Sequence, residues 1–401
     1  MLNYCIACDL TYPLDTNRMR CGCGGLMEVR ADWKADHDTW RDRPLGVWRY
    51  REMLPHIDGM VPVTLGEGGT GLHRADRMAQ WCGIDELHIK NEGENPTGSF
   101  KDRGMTVGVT MAKAMGHSVV GCASTGNTAA SLAAYAARAG LTAVVVVPAG
   151  KIALGKLAQS IVHGARVLAV KGNFDQALET IGLLAEEGSL YLLNSINPLR
   201  LEGQKTLVWE VLDQLDEVPD RVVYPVGNAG NISAAHKALV ERDRMGMLPR
   251  MPRLTGVQAE GAAPFARMMA SGADTLTSEP RPETVATAIR IGHPVSWPKA
   301  RAAVMETGGT VTTVTDEEIL AAQRALASLE GIFVEPASAA SLAGLRKLVH
   351  VREVDARERV VCITTGNGLK DPDAVLRTSE GAVIEVEPDP RHVRATLEAW
   401  S

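Results

Sequence analysis

The stretch that decides the fold is Asn95–Gly104, with the sequence NPTGSFKDRG, which places Lys101 where a helix is expected to begin. Asn-Pro and Thr-Gly-Ser are turn-forming combinations, and the mostly apolar or small residues at 105–115 predict a buried helix. Free N–H groups and the positive end of the helix dipole disfavour a second positive charge there. We therefore expect a lowered pKa for Lys101, and a neutral amine is what Schiff-base chemistry requires. Taken alone, the stretch also fits an ordinary surface lysine at the start of a helix.

The composition argues against several classes of protein. The chain has 401 residues, and its 42 Lys and Arg against 48 Asp and Glu give a net charge of -6 without a basic block. We therefore expect neither nucleic acid nor a membrane as a partner. The length predicts about two or three domains, and 39 glycines suit an α/β enzyme with many tight turns. No secretory signal is visible and the seven cysteines are scattered apart from one cluster, so we expect a cytoplasmic protein.

The cysteine cluster consists of Cys5 and Cys8, followed by Cys21 and Cys23. Two such pairs resemble a zinc ribbon, in which two tight turns supply four thiolates to a tetrahedral ion. The second pair is separated by one residue rather than the usual two, so a structural zinc site and a remnant ribbon with reduced thiols both stay open. In either case we expect a zinc-ribbon-like module at residues 1–32, a linker at 33–60 and the main body at 61–401.

From residue 61 onward, short apolar strands alternate with segments of helical period. Strands that are apolar throughout are typical of parallel sheets covered by helices on both faces. Their number, together with two clusters of ligand-type loops, predicts an α/β fold with two lobes facing a cleft. We expect a small lobe at about 116–196 that is inserted in the large lobe. The predicted strands are Leu87–Lys90, Ser118–Cys122, Thr142–Val147, Arg166–Val170, Leu190–Leu193, Arg221–Val226, Leu254–Ala259 and Val360–Thr364.

Several of these strands are followed by loops rich in glycine and small polar residues. In open parallel sheets, ligands bind outside the carboxyl ends of the strands. The clearest anion site is Gly227–Asn231, with the sequence GNAGN. Its glycines permit close approach of the backbone, asparagine tolerates a left-handed φ, and the following helix offers free N–H groups to a phosphate. A plain tight turn is the alternative interpretation of this loop.

The lysine stretch, the loop Ser124–Thr128 (STGNT) and the loop Gly227–Asn231 resemble, in this order, the pyridoxal-phosphate (PLP) enzymes of the tryptophan-synthase-β fold, known as fold type II. Within that group the chain is most similar to the threonine synthase family. The resemblance covers roughly residues 61–371 and implies a two-lobed fold with parallel sheets and PLP as the cofactor. Further stretches that carry it are QAEGAAP at 258–264, TVATAIRIG at 284–292, EPASAA at 335–340 and TTGNGLK at 364–370.

The resemblance also implies roles around the cofactor. Lys101 corresponds to the lysine that forms the Schiff base and carries protons. Asn127 corresponds to the residue that bonds the ring hydroxyl, Thr365 to the residue at the pyridine nitrogen, and Phe174 to a residue that packs near the ring. A hydroxyl at the pyridine nitrogen favours elimination and replacement over transamination. The expected cradle of the cofactor phosphate consists of Gly227, Asn228, Ala229, Gly230 and Asn231.

The implied substrate is a phosphorylated amino acid, O-phospho-L-homoserine, which the family converts with water into L-threonine and phosphate. Arg200 is the discriminating residue, because a guanidinium fork matches a phosphate dianion. The expected substrate-binding residues are Ser124, Thr125 and Thr128 for the carboxylate, and Asn194, Ser195 and Arg200 for the phosphate.

Three alternatives stay open beside this expectation. A related PLP enzyme of the cysteate-synthase type would act on O-phosphoserine, and a threonine or serine dehydratase would not need Arg200. A non-enzymatic alternative is a binding module with a degenerate PLP fold, for which loss of Lys101 would leave the function intact. The family resemblance also implies a homodimer.

Overall fold

The computed structural model describes residues 1–14, 18–149, 154–172, 174–373 and 385–398. Met1–Lys370 forms one compact unit, and Asp371–Ser401 forms a second unit, in which a helix at Pro390–Glu398 is described. Among the described helices, none combines the length and the apolar character needed to span a bilayer.

The described strands form three sheets. A three-stranded antiparallel sheet has the order β2-β1-β3, a six-stranded sheet the order β12-β11-β10-β13-β5-β4, and a four-stranded parallel sheet the order β8-β7-β6-β9. In the six-stranded sheet, only the pairing of β4 with β5 is antiparallel among the described strands. The strands are β1 (Leu2–Cys5), β2 (Thr11–Tyr12), β3 (Met27–Arg30), β4 (Leu72–Arg74), β5 (Glu86–Asn91), β6 (Val119–Ala123), β7 (Thr142–Pro148), β8 (Arg166–Val170), β9 (Tyr191–Leu192), β10 (Arg221–Pro225), β11 (Arg253–Ala259), β12 (Val311–Val314) and β13 (Arg359–Thr364).

Helices alternate with the strands of the six-stranded and four-stranded sheets and bury their apolar residues against them. All five residues of β10 are buried, as expected for a central strand covered on both faces. The helices of the first unit are α1 (Asp76–Cys82), α2 (Lys101–Ala114), α3 (Asn127–Ala139), α4 (Leu154–Val162), α5 (Phe174–Glu186), α6 (Pro198–Gln214), α7 (Gly230–Arg244), α8 (Pro264–Ser271), α9 (Trp297–Glu306), α10 (Asp316–Glu330) and α11 (Pro336–His350).

The predicted α/β fold with parallel sheets is confirmed, and each predicted strand is present within about two residues of its expected bounds. The segment 116–196, predicted as an inserted lobe, contains the four-stranded sheet. The prediction missed β4 and β12, which lie at the two edges of the six-stranded sheet. Their residues are only partly buried or exposed, apart from Val314, so neither strand has the continuous apolar run that marks a central strand.

The segment predicted as a linker, 33–60, packs into the core of the first unit. The Trp40 ring stacks on Trp209 of α6 with 6.2 Å between centroids, and Tyr50 meets Trp209 edge-on at 5.2 Å. Trp40 and Tyr50 are both fully buried. This segment therefore belongs to the hydrophobic core of the first unit, where its aromatic rings are buried.

Strand β3 of the N-terminal module is held by two lysines from helices of the large lobe. Lys237 of α7 donates to the carbonyl of Val29 at 2.7 Å, and Lys299 of α9 donates to the carbonyl of Met27 at 2.9 Å. Between them, the Glu28 carboxylate lies 3.2 Å from the Lys299 amine and 3.6 Å from the Lys237 amine. The module is thus fixed to the large lobe by buried charges as well as by packing.

Candidate active site

A cleft of about 2690 Å³ lies where the strands β6, β9, β10 and β13 end. This is the edge at which ligands bind in open parallel sheets. Most of the residues selected from the sequence line it. They are Lys101, Ser124, Thr125, Asn127, Thr128, Asn194, Ser195, Gly227, Asn228, Ala229, Gly230, Asn231 and Thr365.

The loop before Lys101 is joined to the loop that follows β13. The amide of Phe100 donates to the carbonyl of Thr365 at 3.0 Å, and the amide of Asn367 donates to the carbonyl of Gly98 at 2.9 Å. Helix α2 begins at Lys101, as the sequence predicted. These contacts hold Lys101 and Thr365 on neighbouring parts of one wall of the cleft.

The pKa of Lys101 is lowered to about 7. Burial of the amine is the main cause, the Arg200 guanidinium lowers it further, and the Glu335 carboxylate acts in the opposite direction. The expected lowering of the pKa is therefore present, but burial and a neighbouring cation cause it rather than the helix dipole. Near neutral pH, a substantial fraction of this amine is unprotonated and nucleophilic.

The Gly227–Asn231 loop opens helix α7, whose first turn has N–H groups without intrahelical acceptors. A side chain at Gly227 would lie 3.0 Å from the Cα of Ile289, so any other residue here would require the backbone at Ile289 to shift by a few tenths of an ångström. The residue with a left-handed backbone is Ala229, at φ 64°, rather than an asparagine as expected. Such a conformation is costly for alanine and is kept where the surrounding structure requires it. The Asn231 Nδ2 group is buried with no hydrogen-bond partner among the described residues.

Asn127 begins helix α3, and its Nδ2 group donates to both carboxylate oxygens of Glu335, at 3.2 and 3.1 Å. Glu335 lines the cleft and precedes helix α11. No local sequence pattern indicates a role for Glu335, although the Glu-Pro pair at the start of α11 belongs to the stretches that carry the family resemblance. Its contact with Asn127 spans 208 positions, which no local pattern predicts. Glu335 therefore orients the asparagine that was selected for the cofactor ring.

The Thr365 hydroxyl lies 3.0 Å from the hydroxyl of Ser338 on α11. Ser338 also accepts from the amide of Gly366 at 2.8 Å, so this serine fixes the loop that carries Thr365. Both hydroxyls are buried. Thr365 is thus a rigidly held donor or acceptor in the wall of the cleft.

The side chain of Asn194 is used within the protein. Its Oδ1 accepts from the amide of Ala123 at 3.0 Å and its Nδ2 donates to the carbonyl of Ala123 at 3.2 Å, which fixes the end of β6. The neighbouring Ser195 hydroxyl accepts a hydrogen bond from Asn228 Nδ2, so it touches the phosphate-type loop. A role of these two residues in substrate binding stays a prediction.

Arg200 is fully buried and lies outside the lining of the cleft. Its positive charge nevertheless lowers the pKa of the Lys101 amine. Its Nη1 group donates to the carbonyl of Leu193 at 3.2 Å, whereas Nε and Nη2 have no partner among the described residues. Burial lowers the pKa of the guanidinium to about 10, so it stays charged at neutral pH. The side chain of Phe174, the remaining selected residue, lies outside the part of the chain that the structure describes.

The four cysteines selected as metal ligands come together in the N-terminal module. The sulfurs of Cys5, Cys8, Cys21 and Cys23 all lie within 4.8 Å of one another. The remaining three cysteines are buried and free.

Comparison with known proteins identifies the class. A family model described as "Pyridoxal-phosphate dependent enzyme" matches residues 63–366, and the chain belongs to this family. It is similar to a protein named threonine synthase from Methanocaldococcus jannaschii, with 55% identity over 395 residues, 97% of each chain. A protein of the same name from Mycobacterium tuberculosis is 49% identical over 359 residues, 89% of this chain and 96% of that one. A solved structure of threonine deaminase isoform 2 from Solanum lycopersicum has a TM-score of 0.65 at 21% identity, covering 79% of this chain and 88% of that one.

The residues of the cleft fit the PLP that defines this family. An amine with a pKa lowered to about 7 lines the cleft, and a glycine-containing loop at a helix N-terminus supplies N–H groups without intrahelical acceptors. The unpartnered Nδ2 group of Asn231 lies in that same loop. This pairing of an amine with an anion cradle is what an aldehyde that carries a phosphate requires.

Proposed function

We propose that this chain is a PLP-dependent threonine synthase, a lyase of threonine biosynthesis that converts O-phospho-L-homoserine and water into L-threonine and phosphate. The observation that carries the proposal is that the Lys101 amine and the Gly227–Asn231 loop line one cleft. The 55% identity to the archaeal threonine synthase over 97% of the chain supports the choice of reaction.

In this proposal Lys101 binds the aldehyde of the cofactor and then acts as the base. PLP supplies an electron sink that makes the hydrogens on neighbouring carbons of the substrate acidic. Once the amino group of the substrate has displaced it from the cofactor, the neutral amine of Lys101 would remove one proton from Cα and one from Cβ as phosphate leaves from Cγ. One proton would return to Cγ, the hydroxyl group of a water molecule would add at Cβ while the water proton goes to the released phosphate, and the other proton would return to Cα. Glu335, which accepts from Asn127 Nδ2, would hold the Asn127 amide toward the ring hydroxyl, and Thr365 would lie at the ring nitrogen.

Arg200 is the proposed partner of the substrate phosphate. Its buried guanidinium has two nitrogen groups, Nε and Nη2, without an acceptor in the described residues. Its positive charge also lowers the pKa of the Lys101 amine. Because Arg200 lies outside the lining of the cleft, its side chain must turn toward the cleft before a substrate phosphate can accept from these groups and satisfy them with charge-assisted bonds. Ser124, Thr125 and Thr128 at the start of α3 are proposed to hold the substrate carboxylate, with Asn194 and Ser195 beside the phosphate.

The cofactor attachment is tested by reducing the purified holoenzyme with borohydride and locating the pyridoxyl group by peptide mass spectrometry. We expect the group on Lys101, and we expect Lys101→Ala to lose both the visible absorption and the turnover. Lys370→Ala is the matched control, because Lys370 also lines the cleft and burial also lowers its pKa. A pyridoxyl group on Lys370, or on no lysine, would contradict the assignment.

The substrate is tested by comparing phosphate release from O-phosphohomoserine and O-phosphoserine, with ammonia release from threonine as a third assay. We expect kcat/KM to be greatest for O-phosphohomoserine. Equal or greater activity on the serine ester would favour a cysteate-synthase type, and ammonia release alone would favour a dehydratase. If Lys101→Ala kept the biological function, the chain would instead be a binding module.

We also propose that the catalytic region spans residues 61–401 with a small lobe at about 116–196, and that the protein is a cytoplasmic homodimer. The free state of all seven cysteines supports a reducing compartment. Light scattering coupled to gel filtration tests the dimer, and a mass corresponding to 42.9 kDa would contradict it.

A further inference from the structure

The sulfur cluster of the N-terminal module lies outside the segment 63–366 that matches the PLP family, so the chemistry proposed above does not account for it. The shortest distances between its sulfurs are 3.4 Å from Cys8 to Cys23, 3.5 Å from Cys8 to Cys21, and 3.6 Å from Cys5 to Cys23. A tetrahedral ion with metal–sulfur distances of about 2.3 Å places its ligands about 3.8 Å apart. The four sulfurs therefore already have nearly the spacing of a tetrahedral site.

Two backbone turns bring these sulfurs together. In the first turn the amide of Cys5 donates to the carbonyl of Leu10 at 2.9 Å, and the turn closes through Asp9, whose φ of 62° is left-handed. In the second turn the amide of Cys21 donates to the carbonyl of Gly25 at 2.9 Å. The shorter spacing of the second cysteine pair therefore does not keep either sulfur away from the cluster.

Neighbouring groups keep space for the sulfurs and donate to them. A side chain on Gly25 would lie 2.6 Å from the sulfur of Cys5, so this position accepts only glycine without a shift. The amide of Ala7 donates to the Cys5 sulfur at 3.4 Å, and the Tyr12 hydroxyl lies 3.1 Å from the Cys21 sulfur. Donors of this kind stabilise thiolates that ligate a metal.

We propose that Cys5, Cys8, Cys21 and Cys23 bind one Zn²⁺ as four thiolates in a structural site. Soft thiolate ligands in a tetrahedron select zinc or iron among the common metals, and four protein ligands leave no open position for catalysis. The ion replaces the thiol protons, which are released on binding. The site would join the two turns and thereby fold a module whose described part has three short strands.

The proposed ion also supports a wall of the cleft. Residues 18–22, which lead into the second turn, line the same cleft as Lys101. The side chain of Met19 packs against the apolar cluster formed by α5 and the small-lobe sheet, while β3 is bound by Lys237 and Lys299 of the large lobe. Zinc would therefore fix a segment that contacts both lobes.

The test measures the metal content of the full-length holoenzyme, purified under reducing conditions without chelators or a metal-binding tag. Plasma mass spectrometry should find about one zinc per chain, and Cys8→Ser should lose most of it. Cobalt exchanged for zinc should give the visible bands of a tetrahedral thiolate complex. We expect Cys8→Ser to lower the Tm by about 5 °C or more, while the absorption of bound PLP is kept.

Cys82→Ser is the matched control, because Cys82 is a free cysteine outside the cluster, and it should retain the zinc. Less than about one fifth of an equivalent of zinc in the reduced protein would overturn the proposal. So would stoichiometric iron. A titration under denaturing conditions that found three thiols in place of seven would overturn it as well, since it would indicate two disulfides.

Discussion

At the level of single residues, Lys101 shows how the cleft prepares a nucleophile. Burial of the amine and the nearby Arg200 guanidinium lower its pKa to about 7, against about 10.4 for an unperturbed lysine. The two effects act in the ligand-free protein, so a substantial fraction of the amine is unprotonated before the cofactor binds. This preparation can be measured separately from catalysis.

We predict that the rate at which the cofactor-free enzyme takes up PLP follows this pKa. Below pH about 7 the amine is protonated, so the rate should rise about tenfold per pH unit, and above that pH it should level off. The reaction of PLP with a free lysine derivative is the control for the titration of PLP itself. A rate, corrected in this way, that kept rising tenfold per unit beyond pH about 8 would contradict the lowered pKa.

Arg200 gives a prediction in which stability and affinity change in opposite directions. Arg200→Met removes a buried charge of which two groups have no partner among the described residues, so the ligand-free protein should gain about 1 kcal/mol in its free energy of unfolding. The same change should raise KM for the phosphorylated substrate by about 10- to 150-fold, because a charge-assisted contact contributes about 1.5–3 kcal/mol. Denaturant titration and steady-state kinetics measure the two effects.

Arg200→Lys is the matched control, since it keeps the charge but not the fork, and its KM should lie between those of the other two proteins. A variant that lost stability while KM stayed the same would show that Arg200 has a purely structural role.

Local motifs predicted much of the site because they carry their own chemistry. Lys101 and the Gly227–Asn231 loop could be found from turn residues and strand ends. Glu335 could not, because its role depends on a contact with Asn127 from a distant part of the chain. The same applies to Asn194, whose side chain holds Ala123 across 71 positions. Contacts of this length follow from the packing of the lobes, which no short pattern encodes.

At the level of elements, the crossing of α2 and α6 positions both Lys101 and Arg200. The helices approach so closely that a side chain on Gly203 would lie 1.8 Å from the carbonyl oxygen of Arg103. One on Gly104 would lie 2.8 Å from the carbonyl oxygen of Arg200. Two glycines at a crossing therefore set the distance between the nucleophile and the proposed phosphate partner.

We predict that Gly203→Ala lowers the free energy of unfolding by about 2–3 kcal/mol or more, because the methyl group meets rigid backbone. It should also reduce kcat/KM, since α2 and α6 must move apart. Gly182→Ala in α5 is the matched control, because the described residues place no atom outside the adjoining helix backbone within 4 Å of the added methyl group. There alanine should stabilise the helix by about 0.5–1 kcal/mol. Similar losses in both variants would contradict the role of the crossing.

At the level of the whole molecule, buried charges connect the N-terminal module with the large lobe. Burial opposes ionisation of Glu28, but the charges of Lys299 and Lys237 outweigh it and lower its pKa to about 2. A carboxylate whose pKa is lowered in the folded state stabilises the protein above the unfolded value, and the stability is lost as the pH falls toward the folded value. The stability that Glu28 contributes is therefore lost between pH about 4.3 and pH about 2.

We predict that Glu28→Gln costs about 2–3 kcal/mol at neutral pH and makes stability less dependent on pH within that window. Thermal unfolding between pH 7 and pH 3 measures both effects. Asp274→Asn is the control, since Asp274 pairs with Arg301 at the surface and its side chain is 90% exposed. Parallel pH profiles for Glu28→Gln and the original protein would contradict the assignment.

Lys237 and Lys299, which donate to the carbonyls of β3, also limit how such a chain can change its length in evolution. A deletion of residues 1–30 would remove Glu28 together with the carbonyls that bind Lys237 and Lys299. Lys237 would keep Glu202 and Glu241, whereas Lys299 would lose its carboxylate and its carbonyl partner in one step. A lineage that discards the module is therefore expected to replace Lys299 with an uncharged residue first. We predict that the replacement of Lys299 precedes the deletion, and related sequences that lack the module would record this order.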